Sequence, residues 1–136
     1  MTKELSELLE IKKEELGIKR TSKKRVIAYQ PVFSLISNSA IAGLFLSQLD
    51  YWKDKGHKKE WIYKTLNDFQ DETGLKRREQ ERAIKIWHSL GILDVKVEFV
   101  FNTRARHFKI NYERLYCLID DFCLKEPSRF RKIFKS

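Results

Sequence analysis

Between Thr65 and Gly91 the chain sets two helical patterns back to back with only Gly74-Leu75 between them, and this junction constrains the fold more than any other feature. Thr65-Leu66-Asn67-Asp68 is a variant of the capping box. The Thr65 hydroxyl is placed to accept from the amide three residues on, and Asp68 to reach back, which opens a short helix ending at Thr73. Gly74 then stops it, since glycine takes the left-handed conformation that closes a helix. A second helix is expected from about Lys76 to Leu90, with Ala83, Ile84, Trp87 and Leu90 facing inward and Gly91 ending it. Two helices joined by a short glycine turn make a helix-turn-helix.

The flanking segments complete the pattern. Downstream, Leu93, Val95, Val97 and Phe99 alternate with Asp94, Lys96 and Glu98, the period of a strand with one buried face. Phe108, Ile110 and Tyr112 repeat it on a return strand, leaving Asn102 to Arg106 as a polar, basic hairpin tip. Upstream, Ser37-Asn38-Ser39 offers capping oxygens to a helix ending near Lys53, whose Ile41, Ala42, Leu44, Phe45, Leu46, Leu49 and Trp52 cover most of its circumference. That helix is expected at the centre of the core. Trp61-Ile62-Tyr63 suits one small strand, and Lys55 to Lys59 a basic loop.

Thr2 to Leu16 reads as an amphipathic helix with Leu5, Leu8, Leu9 and Leu16 near one face and Gly17 as its stop. Ile18 to Arg25 reads as a basic linker, Val26 to Tyr29 as a short strand and Pro31 to Ile36 as a turn. Asn111 is placed to cap a last helix through Leu115, Leu118, Ile119 and Phe122, followed after Pro127-Ser128 by a basic aromatic tail. The expected fold is α+β and mostly helical: a winged helix-turn-helix with a two-stranded β-wing and helical extensions at both ends. The expected division is 1–25 as helix and linker, 26–122 as the DNA-binding domain and 123–136 as the tail.

With 136 residues, 42% of them hydrophobic, the chain has material for one core. Its formal charge is +9 and unevenly spread, because residues 1–17 hold three lysines against five glutamates. A polyanionic partner is therefore expected for the remainder. Cys117 and Cys123 lie in an apolar helical pattern with no histidine beside them, which reads as packing thiols in a reducing cytoplasm rather than a zinc site. No long apolar span is present, so no membrane partner is expected. His57, His88 and His107 have no metal-ligand spacing, Asp120-Asp121 reads as solvated, and no catalytic set, cofactor or metal is expected.

At 100° per residue, the side of the Lys76–Leu90 helix opposite Ala83 and Trp87 carries Arg78, Glu81, Arg82, Lys85 and Ser89, with Arg77 flanking. Lys76 to Lys85 holds five basic residues against two acidic ones. Such a helix can lay arginine forks on guanine O6 and N7 while its first amides meet phosphate. Arg78 and Arg82 are the expected base readers, Arg77 and Lys76 phosphate contacts, and Glu81 the partner of surface ion pairs more than a reader of cytosine. Thr65 at the first helix's cap and Arg104 and Arg106 at the hairpin tip complete the candidate DNA contacts. Trp52, Trp61 and Trp87 are expected in the core.

The stretch from about Ser39 to Leu115 resembles the winged-helix replication proteins of phages and plasmids, including the N-terminal domains of phage DnaD-type initiators. The similarity lies in AIAGLFLSQLDYW, then WIYKTLNDFQDETGLKRREQERAIKIWHSLGIL, then a strand, a basic turn and HFKINYERL. It implies that Lys76, Arg77, Arg78, Glu81, Arg82 and Lys85 take the DNA-facing register. It further implies a role in replication initiation or its control on a mobile element, with other replication proteins as candidate partners. Such initiators often continue into a part that engages helicase, whereas this chain ends soon after its last helix; an autonomous regulator or accessory origin-binding protein is expected. A transcriptional repressor shares the scaffold. From another class, a protein-interaction module would use exposed apolar groups such as Leu5, Leu8, Leu9, Phe130 and Phe134, and the first helix is the candidate arm of a homodimer.

Overall fold

The computed structural model describes residues 3–17, 28–54, 60–100 and 103–134. The expected linker to Arg25, the basic loop Lys55 to Lys59 with His57, and Asn102 lie outside these. Seven helices and three short strands are described, making an α+β fold that is mainly helical.

Helix α1 (Lys3–Glu15) ends at Gly17, whose φ is +72°. Its apolar residues stay in solvent, with Leu8 at 50% and Ile11 at 51% exposure. The next element differs from expectation. Val26 and Ile27 lie outside the described residues, Ala28 to Gln30 form no strand, and Pro31 opens helix α2 (Pro31–Ser37) instead of a turn. Proline fits the first helical position because its missing N–H has no partner there to lose. Val32 and Phe33 then turn into the core.

Helix α3 (Ala40–Asp54) is the centre of the molecule. The Ser39 hydroxyl accepts from the Ala42 amide at 3.1 Å, and Ala42, Phe45, Leu46 and Leu49 are fully buried. Its one deeply buried hydroxyl, on Ser47, donates to the Gly43 carbonyl at 2.7 Å and accepts from the Gln30 amide at 2.9 Å. Strand β1 (Ile62–Lys64) leads into α4 (Leu66–Thr73) through Thr65. There the hydroxyl accepts from the Asp68 amide at 3.0 Å, and the Asp68 carboxylate accepts from the Thr65 amide at 3.2 Å. Gly74, at φ +78°, ends α4, and α5 (Arg77–Ser89) starts three residues later.

Strands β2 (Leu93–Val100) and β3 (Thr103–Ile110) form an antiparallel ribbon, and β1 pairs with the far side of β3, giving the order β1-β3-β2. Leu93 lies opposite Ile110 and Val95 opposite Phe108, with Ile62 on the other side of Phe108. Phe108 meets Phe45 edge-on at 5.6 Å between ring centres, and Phe45 stacks on Phe69 at 4.4 Å. The expected alternation of β2 holds, but its far half leaves the core: Val97 is 45% and Phe99 75% exposed.

Tyr112 belongs not to the return strand but to α6 (Tyr112–Lys125), which Asn111 caps by accepting from the Arg114 amide at 3.1 Å. Its phenol donates to Asp50 at 2.7 Å, tying α6 to α3. Cys117 is exposed, so it is not the packing thiol expected. The segment read as a tail forms α7 (Pro127–Phe134), with Phe130 beside Phe122 of α6 at 6.5 Å. No helix among the described residues is long and apolar enough to cross a membrane.

Helices α2 and α3 touch at Gly43. A Cβ there would stand 2.7 Å from the Ser34 nitrogen and 2.8 Å from its Cα. Alanine is the better helix former by about 1 kcal/mol, yet backbone cannot swing aside as a side chain does. Gly43→Ala is expected to lower the unfolding free energy by about 1–3 kcal/mol, read by urea denaturation; a neutral or stabilising result would show α2 free to move off α3.

Candidate nucleic-acid interface

Helix α5 is placed by what it buries. Gln80, Ala83 and Trp87 recur every three or four residues, and all three are 0% exposed. The Trp87 indole donates to the Ala42 carbonyl at 2.7 Å and meets Phe33 edge-on. That fixes the rotation of α5 about its own axis. Lys76, Arg77, Arg78, Glu81, Arg82, Lys85 and Ser89 consequently all reach solvent, as the sequence leads one to expect. The helix begins where the Glu79 carboxylate accepts from the Lys76 amide at 3.0 Å.

Electrostatics divides this face. Arg77 Nε donates to Glu81 Oε1 at 3.0 Å, an exposed i,i+4 pair of the expected kind, and such pairs contribute little to stability. Among the described residues Arg78, Arg82 and Lys85 have no carboxylate partner within ion-pair distance. Three long cations therefore stand on one helical face with their charge unspent. Thr65 stays at the start of α4, its hydroxyl engaged by the Asp68 amide.

The hairpin tip needs correction. The ladder continues to Val100 opposite Thr103, so Arg104, Ala105 and Arg106 are strand residues. Arg104 pairs with Phe99, and its side chain lies outside those described. Arg106 is not at the tip. It sits opposite Val97 and Lys64, two residues from the buried Phe108 along β3, and its guanidinium lies 5.5 Å above the Phe108 ring. There it donates to the side-chain oxygen of Gln80, while its Nε is buried without a hydrogen-bond partner. Burial holds the guanidinium below its ordinary pKa; the neighbouring Glu81 carboxylate pulls it back up and Arg77 pushes it further down. Arginine remains charged throughout the accessible pH range.

Gln80 is the residue sequence reasoning missed. Its amide nitrogen donates to the carbonyls of Leu66 at 3.1 Å and Leu75 at 2.7 Å, so one side chain ties the start of α4, the turn, α5 and β3 together. The signal was present in its spacing from Ala83 and Trp87.

A matching polar knot lies one strand away. Glu72 of α4 accepts from Gln48 and Trp52 of α3, each at 2.6 Å, and from Lys64 of β1 at 2.5 Å. Burial acts to raise the Glu72 pKa, but the hydrogen bonds from Lys64, Gln48 and Trp52 together with the lysine charge outweigh it and hold the carboxyl below its ordinary value. Among the described residues no group of three or more His, Cys, Asp or Glu side chains is placed to hold a metal ion.

Comparisons with protein-family models, with curated proteins and with solved structures found no match.

The Gln80–Arg106 link is directly measurable. Gln80→Leu strands two carbonyls and a guanidinium, and is expected to cost at least about 2 kcal/mol of stability. In an Arg106→Met background the same change is expected to cost less, with a coupling of about 0.5–3 kcal/mol. Equal costs in the two backgrounds, read by chemical denaturation, would disprove the link.

Proposed function

We propose that this protein is a winged-helix protein that binds double-stranded DNA with sequence specificity, in replication initiation or its control on a phage, plasmid or other mobile element. In this reading α4, the Gly74 turn and α5 are the helix-turn-helix, and the β2–β3 ribbon is the wing. The observation that carries the proposal is the outer face of α5, where Arg78, Arg82 and Lys85 stand in solvent with no acidic partner among the described residues. An α-helix fits the major groove, and guanine presents O6 and N7 to an arginine fork there. Lys76 and Arg77, at the helix start, are placed for phosphate. Arg106 is held too deep to act as a probing tip, which leaves α5 as the reader and the ribbon as its support. The replication role rests on the family resemblance; a palindromic site beside a promoter would favour a transcriptional repressor instead.

One observation favours a further partner. Leu8, Leu9 and Ile11 of α1 are 41–51% exposed on a helix that also carries glutamates. We propose that α1 is the arm of a homodimer. Removing residues 1–17 is then expected to halve the mass seen by light scattering, and an unchanged mass would end that proposal.

DNA recognition is tested by selection from a random duplex library at two salt concentrations. A motif is expected that an Arg78→Ala, Arg82→Ala double variant fails to enrich. Each single change is expected to cost about 1–3 kcal/mol on the preferred site and to relax one base pair. Equal weakening on all sequences would make these arginines phosphate contacts, and absence of binding at low salt would leave the protein-interaction reading.

A further inference from the structure

Beside the outer face of α5, between that helix and the β2–β3 ribbon, runs a groove of about 550 Å³. Small-molecule sites commonly span about 300–1,000 Å³. The groove combines two chemistries. Ile84 of α5 with Val95 and Val97 of β2 gives it an aliphatic wall. Arg77, Lys85 and Arg106 bring three cations to it, against the single carboxylate of Glu81.

That carboxylate is already held by Arg77 at 3.0 Å. Arg106 has an amide oxygen for its hydrogen-bond acceptor, and among the described residues no carboxylate lies within ion-pair distance of it. A half-buried guanidinium with no ion-pair partner of its own is an unfavourable arrangement, because the nearby Glu81 charge offsets its desolvation only in part and Arg77 opposes it. An anion entering beside it would remove that deficit. An anion that also carried an apolar body would cover Val97, which stands 45% exposed where a core residue would be buried.

We infer that this groove binds a small organic anion: an acidic group set against Arg106, with an aromatic or aliphatic body laid along Ile84, Val95 and Val97. The wall is too apolar for a bare inorganic ion to use, and the cations are too many for a neutral ligand. Arg77, Glu81 and Lys85 also belong to the face proposed to meet DNA, so an occupied groove and a bound duplex exclude one another; this clause alone rests on the proposed function.

The probe is 8-anilinonaphthalene-1-sulfonate, an aromatic anion that fluoresces on leaving water, titrated into the full chain. Amide NMR shifts are expected to concentrate at Ile84, Lys85, Val95, Val97 and Arg106. Arg106→Gln is expected to weaken binding about tenfold, the loss of one charge-assisted hydrogen bond. Val97→Glu, at an exposed position that the fold does not need, is expected to weaken it as well by adding a second carboxylate. Shifts gathered instead on Leu8 and Leu9, with affinity unchanged in both variants, would overturn the site. With a selected duplex, the probe is expected to raise the DNA dissociation constant. Duplex binding that ignores a filled groove would overturn the competition, whereas a filled groove in a chain that binds no duplex would overturn the proposed function and leave the site standing.

Discussion

The burial of Trp87 at the crossing of α5 and α3 governs what the rest of the molecule presents. Its ring is fully enclosed and its N–H is spent on the Ala42 carbonyl, so α5 has one rotational setting in which both the apolar and the polar parts of the indole are satisfied. Every other residue of α5 takes its exposure from that setting. Arg77, Arg78, Arg82 and Lys85 reach solvent because one aromatic cannot turn on the other side of the helix. Any change that lets the indole move therefore acts on the charged face without touching it.

The sheet meets solvent through a graded boundary. Ile62, Phe108 and Val95 form one row across the three strands, and Lys64, Arg106 and Val97 the next row on the same face. In the first row the side chains are in or against the core. In the second, two are cations, and each is held by one polar side chain from a helix: Lys64 by Glu72, Arg106 by Gln80. The two anchors differ in kind. Glu72 matches a charge with a charge, whereas Gln80 matches a charge with a dipole and leaves a net positive residue at the groove. The two polar knots also pin α4 and α5 to the sheet, so the orientation of the helix pair depends on hydrogen bonds as well as on apolar packing.

Much of this was legible in the sequence wherever local chemistry decides the outcome. Thr65 with Asp68, Gly74, Gly91 and Asn111 mark helix ends by interactions made within a few residues, and the elements they bound lie where those residues put them. Trp87 and Ala83 likewise gave the inward side of α5 from spacing alone. The errors came where a residue's role is set by distant partners. Pro31 reads as the end of a strand or the opening of a turn, whereas the burial of Val32 and Phe33 goes with a helix that starts at Pro31. Arg104 and Arg106 carry the composition of a turn, and the strand they belong to follows from a ladder with β2 that their own residue types do not announce. Gln80 was hidden by chemistry: a polar residue in an inward position reads as an exception until its three partners are seen.

The order of the strands has a consequence for how the helix pair is held. The middle strand, β3, is the last of the three in the chain, and β1 has no partner but β3 among the described strands. Everything from β1 to β3, including α4, the glycine turn, α5 and β2, is therefore a loop whose two ends are fastened by one short run of backbone hydrogen bonds, from Ile62–Phe108 to Lys64–Arg106. The sheet is a clasp. Once closed, it gives α4 and α5 a shared edge in addition to the contacts each makes with α3, Phe69 and Glu72 from α4 and Trp87 from α5, and an opening at β3 would take that edge from both helices together.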